Sequence, residues 1–491
     1  MLSLLLLIPV IGSIILLFVS DNERMKKIAL ATSLLNLLLS IYMWVQFDSS
    51  TTQFQFVQSP SAISDIALNF YQFNIGVDGL SIYFVLLTTF ITPIAILSNY
   101  NNIDNTSGGL KYFLISFLLL ETLQIAVFVV LDLLLFYVFF ESVLPVLFIV
   151  IILYGSGVAK IRSALLFFLY TLAGSLFMLL AILEINTYVG STDFQLISLS
   201  EINLESQKLL WLAFFLAFAI KTPLWPMTGW LYRAHADSPL AGSIILAATI
   251  LKLATYGYLR VLINFLPDAS NYFSPFVQTI AIVTLIYSSF STIIQQDTKS
   301  LIAYSSIAHM AVVTLGLFSN SIQGLEGAIL LSLAHGFVSP ALFICVGGVI
   351  YERTGTRIVP YIRGLVTYMP VFTILFFIFT LSNTGIPLSL NFLGEQLSLI
   401  GIWDRSTIVS ALGATGIVFS ACYSVYFYNR ISYGVYSPHL LPVQDINRRE
   451  FTLLIVLLIP TLVFGILPNF ILDNLHLFTS NLIYTIPCCG A

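Results

Sequence analysis

Six ionisable residues stand inside apolar segments where water would not reach them unaided. Glu141 lies in FYVFFESVLP, Lys221 in LAFAIKTPLWP and Lys252 in LAATILKLATYGY. His309 follows the polar run AYSSIA, His335 sits in LSLAHGF, and Glu395 ends NTGIPLSLNFLGE. Burial disfavours the charged form of a carboxylate or an amine, and an opposite charge nearby restores it. A buried Glu–Lys pair can therefore be switched between neutral and ionised forms by moving one partner a few ångström. A desolvated Lys carries protons near neutral pH. A Glu, Lys, Lys, His, His, Glu series thus offers stations for stepwise proton transfer, with water between them. Each residue also has a plainer reading. The Glu and Lys residues could be static ion pairs that fix helix register, and the histidines neutral rings bonded to a Ser or a carbonyl.

Glu121 and Asp132 are further candidates, Asp132 lying close to a predicted helix end. Glu184 reads as interfacial. His235 and Asp237 fall in YRAHADSP, expected as a loop, where a solvated histidine is the competing reading.

The surrounding chain decides how such residues are positioned. Of 491 residues, 58% are hydrophobic and 9% charged, with a mean hydropathy of +0.97, whereas a soluble domain carries about 25% charged residues. That much apolar surface requires lipid, where only helices or closed barrels satisfy the backbone. The apolar runs, such as Leu2–Phe18 and Leu453–Leu467, are long and unbroken rather than alternating, which selects helices. The expected fold is an all-α polytopic membrane protein with about fourteen spans. They centre near residues 10, 37, 88, 120, 142, 172, 220, 250, 284, 309, 337, 382, 415 and 460.

The distribution of cations tests that count. Of the 19 Lys and Arg, fourteen fall in alternate loops or at their edges, from Arg24, Lys26 and Lys27 through Lys299 to Arg448 and Arg449. Only Lys208, Arg260 and Arg405 fall on the opposite side, and Lys221 and Lys252 lie within spans. Both termini are then expected on the outer side. The long outer loop at 47–77 has no Lys or Arg and does not read as a separate domain.

Two spans are broken. The seventh is interrupted at Lys221-Thr-Pro-Leu-Trp-Pro, with Pro223 and Pro226; the twelfth at Asn383-Thr-Gly-Ile-Pro, with Gly385 and Pro387. Proline removes a backbone donor and disrupts the preceding turn. Paired breaks in corresponding halves point to a transport site. The breaks lie five spans apart, so spans four to eight and nine to thirteen would form two units of opposite topology; two unrelated kinks are the alternative. The chain then divides into residues 1–110, 111–265, 272–432 and 450–491, all within one membrane domain.

Other chemistries find little support. No Lys/Arg cluster suggests nucleic acid. Cys345, Cys422, Cys488 and Cys489 form no C-x-x-C pair, so zinc and iron–sulfur ligation are not indicated; they read as buried small side chains. Gly155-Ser-Gly157 lacks the third glycine and the strand of a dinucleotide site. The first segment has neither a basic n-region nor an A-x-A site and is expected to be a retained helix.

Four motifs carry a resemblance: LLLFYVFFESVLP around Glu141, KTPLWPMTGWLYRAHADSPLAGS from Lys221, KSLIAYSSIAHM around His309, and NFLGE ending at Glu395. With them the chain resembles, over nearly its whole length, the antiporter-like membrane subunits of respiratory complex I, the proton-pumping NADH:ubiquinone oxidoreductase. Glu395 marks a branch of that family, since two sister branches usually place Lys there, and no long lateral helix follows the last span. The resemblance implies fourteen helices in two inverted five-helix units. It implies a Glu141–Lys221 pair, a central Lys252, histidine stations at His309 and His335, and an outlet-side Glu395. Asp237 stands where the family's P-x-A-H-x-E-A-P motif often has Glu, which leaves the roles of His235 and Asp237 open. The resemblance further implies no redox cofactor on this chain, with FMN, iron–sulfur clusters and ubiquinone on partner subunits. Other membrane-arm subunits, above all neighbouring antiporter-like ones, and membrane lipid would be the partners. A subunit of a Mrp-type cation/proton antiporter or of a membrane-bound hydrogenase is the alternative, and a structural scaffold a third. The wealth of Phe (40) and Tyr (24), with abundant Ile and Ser, fits an AT-rich organellar genome. The expected location is the mitochondrial inner membrane, or else a bacterial plasma membrane.

Overall fold

The computed structural model of the chain describes residues 1–58, 73–100, 109–200 and 202–484. It is almost wholly helical, as lipid demands of a spanning backbone. The helices are α1 (Leu2–Phe18), α2 (Asn22–Val45), α3 (Ser81–Ser98), α4 (Gly109–Val129), α5 (Leu133–Tyr154) and α6 (Lys160–Val189). There follow α7 (Phe194–Leu199), α8 (Leu204–Lys221), α9 (Leu231–Asp237), α10 (Leu240–Ile263), α11 (Pro267–Ile294) and α12 (Thr298–Leu317). The last are α13 (Ile322–Thr354), α14 (Pro370–Asn383), α15 (Leu390–Trp403), α16 (Thr407–Ser432), α17 (Arg448–Ile466) and α18 (Asn469–Tyr484).

Among the described residues, eleven helices are long and apolar enough to cross a membrane. Leu2–Phe18 and Pro370–Asn383 are shorter apolar helices. All fourteen predicted centres fall within helices. Helix starts follow capping chemistry: Asp21, Asp132, Asp193 and Asp297, and Ser321, Ser389 and Ser406, each accept a bond from a first-turn amide.

Every residue of α10 and α12 is buried, as are residues 324–350 of α13. These three helices form the centre, and α1, α2, α16 and α17 lie at the periphery with large exposed apolar faces. Small residues set the closest approach, between α13 and α15. A Cβ on Gly394 would fall 2.6 Å from the Leu331 amide nitrogen, one on Gly327 2.4 Å from that of Ser398, and one on Gly401 2.4 Å from that of Gly324. Helices in lipid associate through this kind of close backbone contact.

Several expectations are corrected. The outer loop contains a two-stranded antiparallel hairpin, β1 (Gln55–Gln58) with β2 (Ile75–Val77), and residues 59–72 of that loop lie outside the described residues. The tail after α17 forms α18, whose apolar side packs on α13 and α17. Arg260 and Lys299, placed by the sequence in loops or at their edges, do lie in the last turn of α10 and the first turn of α12, but they are buried, each 3% exposed. Their charge signalled a boundary, and both find partners there. Cys345 is buried as expected, whereas Cys422 is exposed; Cys488 and Cys489 lie outside the described residues.

Candidate functional site

The two breaks shape the site. Helix α8 ends at Lys221, and the chain passes through Thr222–Pro226 and a short 3-10 turn, Met227–Trp230, into α9. Freed backbone groups are satisfied locally. Trp230 Nε1 donates to the Ile220 carbonyl (2.8 Å), the Thr222 hydroxyl to that of Phe218 (2.7 Å), and the Trp225 amide to Thr284 Oγ1 (2.9 Å). At the second break α14 ends at Asn383 and α15 begins at Leu390. Gly385 has φ +73° there, a conformation glycine adopts without strain. A Cβ at Gly385 would stand 2.6 Å from Glu395 Oε2, so the turn lies directly against that carboxylate. Each break thus carries one of the predicted charges beside it.

Four of the six principal candidates form one buried series. Lys252 Nζ donates to the Ala247 carbonyl (2.6 Å) and lies 2.7 Å from His335 Nδ1. The Ala247 carbonyl belongs to a π-helical stretch, Leu246–Ile250, immediately before Lys252. Such wide turns recur at functional sites. The rings of His335 and His309 have centroids 6.0 Å apart. His309 Nδ1 lies 3.1 Å from Glu395 Oε1. Among the described residues, Nε2 of either histidine has no hydrogen-bond partner. The series crosses from α10 through α13 and α12 to α15, ending beside the second break.

The other two candidates are arranged differently from the implied ion pair. Lys221 is buried, and its Nζ donates to the Phe140 carbonyl (3.0 Å) and stands 3.2 Å from the centroid of the Phe140 ring. No ion pair within 4.0 Å joins it to Glu141 among the described residues. Glu141 is half-buried, and its Oε1 has no hydrogen-bond partner among the described residues. The amine is turned onto the residue before Glu141, where carbonyl and ring face hold it.

The additional candidates separate by role. Asp132 caps α5, accepting from the amides of Leu134 and Leu135 and from the Thr192 hydroxyl (2.6 Å). Glu121 is buried and accepts from Asn36 Nδ2 (2.8 Å). His235, expected in a loop, lies in the short helix α9, fully buried and stacked on Phe343 at 4.7 Å. Asp237 accepts from the Ser163 hydroxyl (2.5 Å), and its carbonyl from the Ser156 amide (3.1 Å), tying α9 to the turn before α6. Glu184 is exposed.

Several buried polar groups escaped the sequence reading. Asn391, one turn before Glu395, has both side-chain polar atoms buried without a partner among the described residues. Lys299 donates to the Ser238 carbonyl (2.9 Å). Glu326 accepts from the Thr479 hydroxyl (3.2 Å) and lies 2.8 Å from His476 Nδ1, and Asp78 pairs with Arg260. Apolar flanks could have signalled Glu326 and Arg260; Asn391 has no charge to mark it.

The family described as NADH:quinone oxidoreductase/Mrp antiporter, transmembrane, matches residues 130–420. NADH-ubiquinone oxidoreductase chain 4 of Mycosarcoma maydis is 60% identical over 490 residues, covering 99% of this chain and 100% of the relative. Among solved structures, a chain of respiratory complex I from Thermus thermophilus with bound NADH is similar with a TM-score of 0.89 and 27% identity, over 100% of both chains. A chain of a Mrp complex from Dietzia sp. shares the fold at a TM-score of 0.87 and 18% identity, over 98% of this chain and 97% of that one. The fold, the broken helices and the sequence agree: this chain belongs to the NADH:quinone oxidoreductase/Mrp antiporter transmembrane family, among its NADH-ubiquinone oxidoreductase chain 4 members.

Proposed function

We propose that this chain is a proton-translocating core subunit of the membrane arm of respiratory complex I. In that assembly it would serve NADH:ubiquinone reductase (H+-translocating, EC 7.1.1.2), with electron transfer on other subunits. The observation that carries the reading is the buried series Lys252–His335–His309–Glu395, which ends beside the second helix break. Full-length similarity to the chain 4 relatives supports the choice of complex.

In this mechanism Lys221 and Glu141 form the switch at the first break. Bringing the amine from Phe140 to the carboxylate would favour the charged form of both, and the change in field would act on Lys252. A proton on Lys252 passes to His335 Nδ1 across 2.7 Å. Transfer from His335 to His309 needs a bridging water, since a 6.0 Å ring separation exceeds direct proton reach. Glu395, in contact with His309, is the outlet-side group. Residues 111–265 and 272–432 act as two inverted five-helix units, which the paired breaks favour.

Uptake is assigned to the side of the basic loops and release to the opposite side, where both termini lie. FMN, iron–sulfur clusters and ubiquinone belong to partner subunits, and neighbouring antiporter-like subunits flank this one in lipid. The mitochondrial inner membrane is the assigned location, supported by the fungal relative.

Native gel separation of gently solubilised membranes tests the assembly: the chain should migrate in a very large complex with in-gel NADH dehydrogenase activity. Replacing Lys221 by Met should then abolish pumping in that complex. Normal proton stoichiometry in the variant would sink the mechanism. A smaller assembly without NADH activity would favour the Mrp-type antiporter or hydrogenase reading, which the shared fold alone supports.

A further inference from the structure

One buried ion pair stands apart from the transfer series. Arg260 Nη2 lies 2.5 Å from Asp78 Oδ2, with side chains 4% and 5% exposed. Arg260 follows Lys252 by eight residues on α10, a rise of about 12 Å. Tyr256 stands midway, one turn from each. Arg260 Nε donates to Tyr256 Oη (3.2 Å), and the Tyr256 hydroxyl donates to the Phe128 carbonyl (3.3 Å). The rings of Phe54, Tyr256 and Phe478 surround the guanidinium at 5.1–5.5 Å.

Beyond this pair is a cavity of about 670 Å³, lined by Asp78 and Arg260 and by Gln195, Asn264, Asp268 and Asn481. Gln195 and Asn481 are exposed, so the cavity reaches the surface. It lies at the end of α10 remote from Ser238 and Lys299. Lys252 touches His335 sideways, while along its own helix Tyr256 and Arg260 stand between it and this cavity.

We propose that Arg260, held by Asp78, is a fixed-charge barrier that closes the direction along the helix, so that a proton on Lys252 leaves through His335. This rests on the reading of the chain as a proton pump. A guanidinium stays protonated at any working pH and has no lone pair to accept a proton. A fixed positive charge in a low-dielectric constriction also repels an approaching proton, as arginines do in pores that exclude cations. Asp78 anchors the guanidinium and the ring cage leaves it little room to swing aside. Without the barrier, Lys252 would communicate with the cavity directly, and the potential built by pumping would discharge through the same chain.

The test uses the assembled complex in proteoliposomes, with passive proton flux measured under an imposed potassium diffusion potential and no NADH. Arg260→Gln should raise that flux by about tenfold or more, equivalent to removing one decade of barrier. During turnover, the pH gradient per NADH oxidised should fall while the quinone reductase rate holds. Arg260→Lys puts a buried amine, which can release and take up a proton, in place of the guanidinium and should also raise the flux, though less than Arg260→Gln. Should Arg260→Gln alone fail to assemble, the double variant Asp78→Asn with Arg260→Gln leaves no unpaired buried carboxylate and carries the test. Wild-type flux in the assembled double variant would overturn the barrier. Failure of the pump reading looks different: Lys221→Met would then keep normal stoichiometry, whatever the flux at Arg260.

Discussion

Lys252 Nζ lies 2.7 Å from His335 Nδ1, a contact between two helices whose sequences place these residues 83 positions apart. With both groups buried, the contact is stable only if one of the pair is neutral, because two adjacent positive charges in a low dielectric repel strongly. One proton shared between an amine and an imidazole is the arrangement that hopping requires.

His335→Gln retains an acceptor for Lys252 but cannot relay a proton from one ring nitrogen to the other. Proton transfer through this chain should slow by about a hundredfold, the scale of a lost acid–base group, and protons pumped per NADH should fall with the complex still assembled. Fluorescent-probe quenching in inverted membrane vesicles measures this. Undiminished quenching at equal NADH oxidation would remove His335 from the route.

Gly385 places the second break against Glu395. Gly385→Ala would force a side chain into a backbone conformation at φ +73°, costing about 1–2 kcal/mol, and would push its methyl into the carboxylate. Reduced pumping with near-normal assembly is expected. Gly229→Ala is the control, since a Cβ there meets nothing within 4 Å among the described residues. If both variants behave alike, the close approach to Glu395 has no functional weight.

Gly394→Val tests the seam that positions Glu395. The added methyls would meet the Leu331 backbone rather than a yielding side chain. Overpacking of about 1–3 kcal/mol is typical even where side chains can move aside. Assembled complex should be largely lost on native gels. Wild-type abundance would mean that α13 and α15 are not held together by this contact.

Asp132 separates a cap from a proton carrier. Asp132→Asn preserves the capping oxygen and should leave pumping unchanged, whereas Asp132→Ala should lower thermal stability by about 1 kcal/mol. A pumping defect in the Asn variant would return Asp132 to the proton route.

Much of this was legible in the chain. The long apolar runs determined the helices, because lipid leaves the backbone no other partner. Proline and glycine at 223, 226, 385 and 387 determined the breaks through local chemistry alone. Lys252, His309, His335 and Glu395 stood out because an ionisable group in such a run is costly.

Only the tertiary structure decided which of these groups touch. Helices α10 and α12 are buried all round, so their sequences carry no polar face to say which neighbour each residue meets. The contacts of Lys252 with His335, of His309 with Glu395 and of Asp78 with Arg260 span 83, 86 and 182 residues, and helix packing alone brings them together. For the same reason Lys221 rests on Phe140 instead of Glu141. Arg260, near a helix end, had the composition of an outer-loop cation until the fold enclosed it between Asp78 and three aromatic rings.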